Sequence, residues 1–274
     1  MSPLWIIISS ALAFLALSFI IFLILIKPGK KRECIEKYKN LKFAHRGLHN
    51  EERAENSLSA FKAAVDAGYA IELDVRLSSD GELMVFHDDT LDRVTNETGR
   101  VDERSAEELQ KIKLGNTDDT IPTFRDVLSL VDGKAVLLVE IKEDAGKYGV
   151  TEKTVEMLRE YKGEYLIESF NPLALARVKA LMPEAPRGIL SQNFMSDEKY
   201  RTPTHFLLQL LLLNSVCRPD FIAFNHEHAK NLPLRLARGI FKAPTIAWTI
   251  RSEGEEKRAY KNKFDGVIFE GYNA

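Results

Sequence analysis

Two histidines, an arginine and two acidic residues fall at or near the ends of three successive strand-like runs. These are Phe43-Ala44-His45-Arg46-Gly47, Glu72-Leu73-Asp74 and His87-Asp88. An ionised carboxylate in an apolar strand costs free energy unless it binds something. A further apolar run ends in Glu140-Ile141-Lys142 and adds a third carboxylate. Glu72, Asp74 and Glu140 are an all-oxygen set, which suits a hard divalent cation, Mg²⁺ or Ca²⁺, better than zinc. Such an ion clamps a phosphodiester and offsets charge developing on its oxygens. Arg46 offers a planar fork that matches phosphate. His45 and His87 titrate near neutrality and fit general base and general acid on opposite sides of the phosphorus. Lys142 would neutralise a carboxylate or a phosphate oxygen. The competing structural readings are histidines that merely close strands, an Arg46 ion pair with Glu72 or Asp74, and a Lys142 pair with Glu140.

These side chains meet only if the elements between them bring the strand ends together. Residues 41–44 read as a first strand. An amphipathic helix follows, with Leu58, Phe61, Ala64 and Val65 on one face, Asn56 or Ser57 as its N-cap and Gly68 at its end. In Ala70 to Val75 the apolar residues alternate with Glu72 and Asp74, so period 2 puts both carboxylates on one face. Asp80-Gly81 between extended runs predicts a two-residue type I′ hairpin. That register sets Asp74 opposite His87, about 5 Å away. Lys134 to Lys142 reads as a strand in which Val136, Leu137, Leu138 and Val139 are apolar on both faces, as expected of a parallel strand, before Glu140 and Lys142 end it on one face. Further strands are expected at 165–170, 187–191, 221–224, 244–249 and 266–270. Helices are expected at 105–112, 124–131, 151–162 and 172–181. Nine strand-like runs, less the antiparallel hairpin arm, leave eight parallel strands, the number of a TIM-type (β/α)8 barrel.

Ahead of the barrel, Leu4 to Ile26 carries no charge. As a helix it would be roughly 35 Å long, enough to cross a bilayer. It lacks the basic start and small-residue cleavage site of a signal peptide. Lys27, Lys30, Lys31, Arg32, Lys37, Lys39 and Lys42 follow, opposed only by Glu33 and Glu36. The positive-inside rule places that flank, and the domain behind it, in the cytoplasm. The expected organisation is a transmembrane anchor at 1–26, a basic juxtamembrane linker at 27–40 and the barrel at 41–274. A net charge of −2 gives no pull towards nucleic acid. Cys34 and Cys217 are isolated and read as idle thiols. The apolar run Phe206 to Leu213, broken only by Gln209, reads as a core helix or as an element touching the bilayer at the barrel mouth. The two histidines of His226-Glu227-His228 diverge if that run turns helical, so no metal is assigned there.

At its site residues the chain resembles the glycerophosphodiester phosphodiesterase family. The matching pieces are H-R-G at 45–47, E-N-S at 55–57, E-L-D-V at 72–75, H-D at 87–88, E-I-K at 140–142, S-F at 169–170 and W-T-I at 248–250. The resemblance implies a metal-dependent barrel that hydrolyses a glycerophosphodiester to sn-glycerol 3-phosphate and an alcohol. It implies that His45 and His87 are the acid/base pair, that Glu72, Asp74 and Glu140 ligate the metal and that Arg46 contacts phosphate. It also implies that Lys142 lies near the phosphate, that Trp248 lines a glycerol pocket and that Glu55 belongs to the metal or glycerol side. The chain departs from the family at Arg251, where an Asn is usual, and at Phe269-Glu270, where T-D is usual. Both departures lie at the mouth, where the leaving alcohol is selected. A membrane anchor makes lysolipids an alternative substrate, through lysophospholipase D-like hydrolysis. An idle barrel that binds phospholipid headgroups is the reading from another class.

Overall fold

The computed structural model describes residues 3–29, 33–143 and 148–274, with the side chains of 33 and 34 left aside. Lys30, Lys31 and Arg32 of the basic flank and the Cys34 thiol therefore lie outside the described residues. In chain order the elements are α1 (Pro3–Ile26), α2 (Glu33–Glu36), β1 (Lys42–Ala44), α3 (Leu58–Asp66), β2 (Ala70–Leu77) and β3 (Leu83–Val85). Then come α4 (Ala106–Leu109), α5 (Phe124–Val131), β4 (Leu137–Ile141), α6 (Val150–Glu160), β5 (Tyr165–Ser169), α7 (Pro172–Leu181) and β6 (Arg187–Ser191). The chain finishes with α8 (Pro203–Gln209), α9 (Asn214–Cys217), β7 (Phe221–Asn225), α10 (Leu232–Phe241), β8 (Thr245–Ile250), α11 (Glu253–Lys261) and β9 (Gly266–Phe269).

Eight of these strands close into the expected TIM-type barrel. The sheet order is β1-β9-β8-β7-β6-β5-β4-β2-β3, and β1 also pairs with β2. Every pairing is parallel except β2 with β3, so β3 is a hairpin arm outside the ring. Alternation sorts the side chains. Ile71, Leu73, Val75, Val139 and Ile167 face outward into the layer shared with the helices. Phe43, Leu138, Leu166, Phe221, Ala223, Ile246 and Ile268 fill the inside. Ile35 and Tyr38, from the stretch ahead of β1, are buried with this inner set and form its floor. The polar strand ends stand above that apolar plug.

The hairpin register differs from the expected one by a residue. Val75 pairs with Val85 and Leu77 with Leu83, and the Phe86 amide donates to the Asp74 carbonyl. Asp74 therefore lies opposite Phe86, not His87. A type I′ turn needs positive φ at both loop residues, but only Gly81 has it, at +83°. Asp80 is used elsewhere: its carboxylate accepts from the Ser78 hydroxyl at 2.6 Å and from the Ala106 amide at 2.9 Å. The loop opens to three residues with glycine last. Helix α4 is also shorter than expected, one turn closed by a Ser105–Glu108 capping box.

The run from Phe206 splits. Helix α8 ends at Gln209, Leu211 turns with φ +58°, and α9 starts at Asn214. Leu208 and Leu211 are buried, whereas Phe206 and Leu207 are exposed. Helix α1 is long and apolar enough to cross a membrane. Its last turn is seated on the barrel: Ile26 is fully buried, the Asn214 amide donates to the Ile26 carbonyl at 2.9 Å, and Arg218 Nη1 donates to the carbonyls of Ile24 and Lys27.

The turn behind β1 depends on Gly47. Its φ is +82°, and a Cβ there would lie 2.9 Å from Ala60 backbone and side-chain carbon in α3. That helix is fixed by the Ser57 hydroxyl, which accepts from the Ala60 amide, and by buried Phe61 and Ala64. Gly47→Ala is expected to lower stability by about 1–3 kcal/mol. An unchanged melting temperature would show that the turn tolerates a side chain.

Candidate active site

The site at the barrel's upper end is built from residues within the strands, such as Glu72, Asp74 and Glu140, and from residues just after them, such as His45, Lys142 and Glu270. Glu72 and Asp74 on β2 and Glu140 on β4 are buried, and one oxygen from each lies within 4.8 Å of the others. The β2–β4 register sets Asp74 beside Glu140, and the β4–β5 register sets Glu140 beside Glu168. Four carboxylates thus share one end of the barrel.

Two fixed cations oppose them. Lys142 Nζ lies 2.7 Å from Glu140 Oε1 and 3.1 Å from Asp74 Oδ1. The second contact lacks hydrogen-bond geometry, and Asp74 Oδ1 is a buried oxygen with no hydrogen-bond donor. Arg46 has φ +55°. Its amide donates to Glu72 Oε2 at 2.9 Å, its Nη1 donates to Glu55 Oε1 at 2.7 Å, and its Nε stands 3.5 Å from Asp74 Oδ2. Asn56, also at positive φ, donates from its side chain to Asp74 Oδ2 at 2.9 Å.

Burial and crowding divide the acids. Burial first, then the charges of Asp74, Glu168 and Glu140, push Glu72 well above the usual carboxylate range. Burial likewise lifts Glu140 to about 7 and raises Glu168 strongly. Burial would raise Asp74 too, but Lys142, His87 and Arg46 together hold it well below its ordinary value. A cluster of acids that outnumbers its two cations, with an Asp74 oxygen paired to Lys142 but receiving no hydrogen bond, is the donor set a hard divalent ion takes. Glu72, Asp74 and Glu140 are the residues that would hold it.

The histidines flank this cluster. The His45 amide donates to the Phe269 carbonyl where β1 meets β9. Its Nδ1 is hydrogen-bonded to Glu270, and its Nε2 lies 3.9 Å from Glu72 Oε2. His87 follows β3, and its carbonyl accepts from Arg76 Nε at 2.8 Å. Its Nδ1 is 2.6 Å from Asp88 Oδ1, and Arg93 Nε donates to Asp88 Oδ2. Burial lowers both imidazoles, His87 to about 4. Trp248 stacks edge-on against Phe170, with ring centroids 5.6 Å apart, and its buried Nε1 has no acceptor.

The structure therefore brings His45, Arg46, Glu72, Asp74, His87, Glu140 and Lys142 to one end of the barrel. Glu55 joins them through Arg46. Glu168, Glu270, Asn56, Asp88 and Arg93 are added by the fold. Glu168-Ser169 carried a readable signal, an acid ending an apolar strand as in Glu140-Ile141-Lys142. His226 and His228 form a short 3₁₀ turn apart from the acidic cluster; among the described residues that cluster is the group suited to a metal.

Residues 45–272 match the glycerophosphoryl diester phosphodiesterase family. The chain belongs to that family. A glycerophosphodiester phosphodiesterase of Caldanaerobacter subterraneus subsp. tengcongensis is 33% identical over 243 residues, covering 84% of this chain and 93% of the relative. A glycerophosphodiester phosphodiesterase of Bacillus subtilis is 25% identical over 282 residues, covering 94% and 93%. Among solved structures, an Oleispira antarctica phosphodiesterase in complex with the product sn-glycerol-3-phosphate superposes with a TM-score of 0.70. It is 25% identical and covers 85% of this chain and 94% of its own. The glycerophosphodiester phosphodiesterase of Thermotoga maritima has the same fold, with a TM-score of 0.66 at 24% identity, covering 84% and 94%. The protein is a phosphoric diester hydrolase of this family.

The crowded acids make metal binding and pH interdependent. Glu140 titrates at about 7 in the fold against an ordinary 4.5. Its charged form is disfavoured in the folded state, so the contribution of Glu140 to metal-free stability is full below pH 4.5 and is lost as pH rises towards 7. A divalent ion removes the penalty and competes with the proton. The rise in melting temperature on adding Mg²⁺ or Ca²⁺ is therefore expected to be larger at pH 8 than at pH 5.5, and to vanish in Glu140→Gln. Equal shifts at both pH values would contradict the assignment.

Proposed function

We propose that the protein hydrolyses glycerophosphodiesters to sn-glycerol 3-phosphate and an alcohol, with His45 and His87 moving the protons. The observation that carries this reading is the meeting of three buried carboxylates, two cations and two carboxylate-backed imidazoles at one end of the barrel. Mg²⁺ or Ca²⁺, held by Glu72, Asp74 and Glu140, would offset charge developing on the phosphoryl oxygens. Arg46 and Lys142 are already oriented by the same acids and would grip the phosphate. One imidazole takes a proton from the attacking group, which is either water, giving sn-glycerol 3-phosphate directly, or the substrate's own neighbouring hydroxyl, giving a cyclic phosphate that water then opens to the same product. The other returns a proton to the leaving alcohol. The unspent Trp248 Nε1 donor and its ring suit a glycerol face.

A lysolipid substrate is the second reading, favoured by a specific feature. A cleft of about 490 Å³ is lined by Glu140 and Lys142 of the site and also by the apolar and aromatic side chains of Phe170, Phe194, Tyr200 and Leu208. Exposed Phe206 and Leu207 on α8 lie beside it. The membrane reading also belongs here: residues 1–26 cross the bilayer once, 27–40 follow as the basic flank, and the barrel at 41–274 lies in the cytoplasm.

His45→Ala and His87→Ala are each expected to lower turnover by about 10²–10⁴-fold with the far-UV spectrum unchanged. Near-wild-type turnover in purified His87→Ala would refute the proton-transfer role. Rates on glycerophosphocholine and on lysophosphatidylcholine micelles, with and without chelator, separate the two substrate readings. No metal-stimulated activity on any diester would leave the headgroup-binding barrel. Protease added outside intact cells should spare the barrel, and its digestion there would reverse the orientation.

A further inference from the structure

We infer that Glu270, clamped by Arg251, is the positioning residue that fixes the His45 imidazole with its Nε2 lone pair turned into the site. Glu270 follows β9 directly and is tied there by its amide, which donates to the Ile250 carbonyl at 3.0 Å. The β1–β9 register sets Ala44 beside Phe269, so the next residues, His45 and Glu270, are neighbours across the strand ends. One carboxylate oxygen of Glu270 receives His45 Nδ1, and the other is held by Arg251 Nη2 at 2.7 Å. Arg251 follows β8, and its amide is itself tied to Glu255 Oε2 at 2.7 Å.

The chemistry of the contact selects the tautomer. An ionised carboxylate only accepts, so Nδ1 must carry the hydrogen, and in the neutral ring Nε2 is then bare. Burial alone would raise Glu270, but its hydrogen bond to His45, the His49 imidazole 3.9 Å away and the Arg251 charge outweigh that and keep it ionised. The result is an arginine–carboxylate–imidazole chain whose far end lies 3.9 Å from Glu72 Oε2, beside the acidic cluster.

The activity half of this inference rests on the phosphodiesterase reading of His45; the tautomer half does not. In Glu270→Gln the amide oxygen stays with Arg251, which only donates, and the NH₂ is left facing Nδ1. The ring must then accept at Nδ1 and carry its hydrogen on Nε2, the wrong nitrogen for a base. We expect kcat to fall about 100-fold with KM within about twofold. Glu270→Asp should recover part of the loss. The double variant Glu270→Gln with Arg251→Ala frees the amide to turn over, and should be roughly tenfold faster than Glu270→Gln alone. A merely structural role for Glu270 would not produce that recovery. Glu270→Gln within twofold of wild type, or a double variant no faster than the single, overturns the inference.

A second measurement needs no turnover. In ¹⁵N-histidine spectra of the full-length protein in detergent, without metal at pH 8, His45 should show a protonated Nδ1 and a bare Nε2, exchanged in Glu270→Gln. The same tautomer in both proteins overturns the inference. If wild type shows the expected tautomer but hydrolyses no diester, the functional reading fails and the positioning stands.

Discussion

Four carboxylates buried together at one end of the barrel are the constraint on which the site depends. Taking even one such charge out of water costs several kcal/mol. Here Glu72, Asp74, Glu140 and Glu168 share that end, and among the described residues Lys142 and Arg46 are the fixed cations paired with them. The imbalance is tolerable because the strand register, not side-chain choice, holds the acids in place. Asp74, Glu140 and Glu168 sit in register on adjacent strands above an apolar plug. They cannot move apart, so they must bind a cation or keep protons.

How much of this was readable depended on how local each cause was. Period-2 alternation marked Glu72 and Asp74 as sharing one face of their strand, and the apolar run ahead of Glu140 marked a parallel strand. Both survive in the structure because each strand is buried on the side its own residues dictate. The hairpin register was not readable, because Asp80 leaves the expected turn to accept from Ser78 and from the Ala106 amide. That second bond joins segments far apart in the chain. The partner of His45 was hidden for the same reason: Glu270 lies 225 positions away and arrives only when β9 closes the ring against β1.

The two histidines are held by parallel devices drawn from different parts of the fold. His87 uses its chain neighbour Asp88, backed by Arg93, whereas His45 uses a strand from the opposite end of the chain, backed by Arg251. Arg93 also grips both oxygens of Glu55, which in turn holds Arg46. The imidazole on one flank and the guanidinium proposed for phosphate thus share one anchoring residue. A disturbance at Arg93 reaches both.

The join between α1 and the barrel has a practical consequence. Ile26 is buried, Asn214 donates to its carbonyl, and Arg218 holds two more carbonyls of the same turn. Shortening the chain to a soluble fragment that begins at the basic flank would open a hole beside α9 and strand an amide there. Any soluble version therefore has to retain the residues from about Phe22 onward. The last turn of α1 is thus part of the barrel's own packing, a fixed junction rather than a free end.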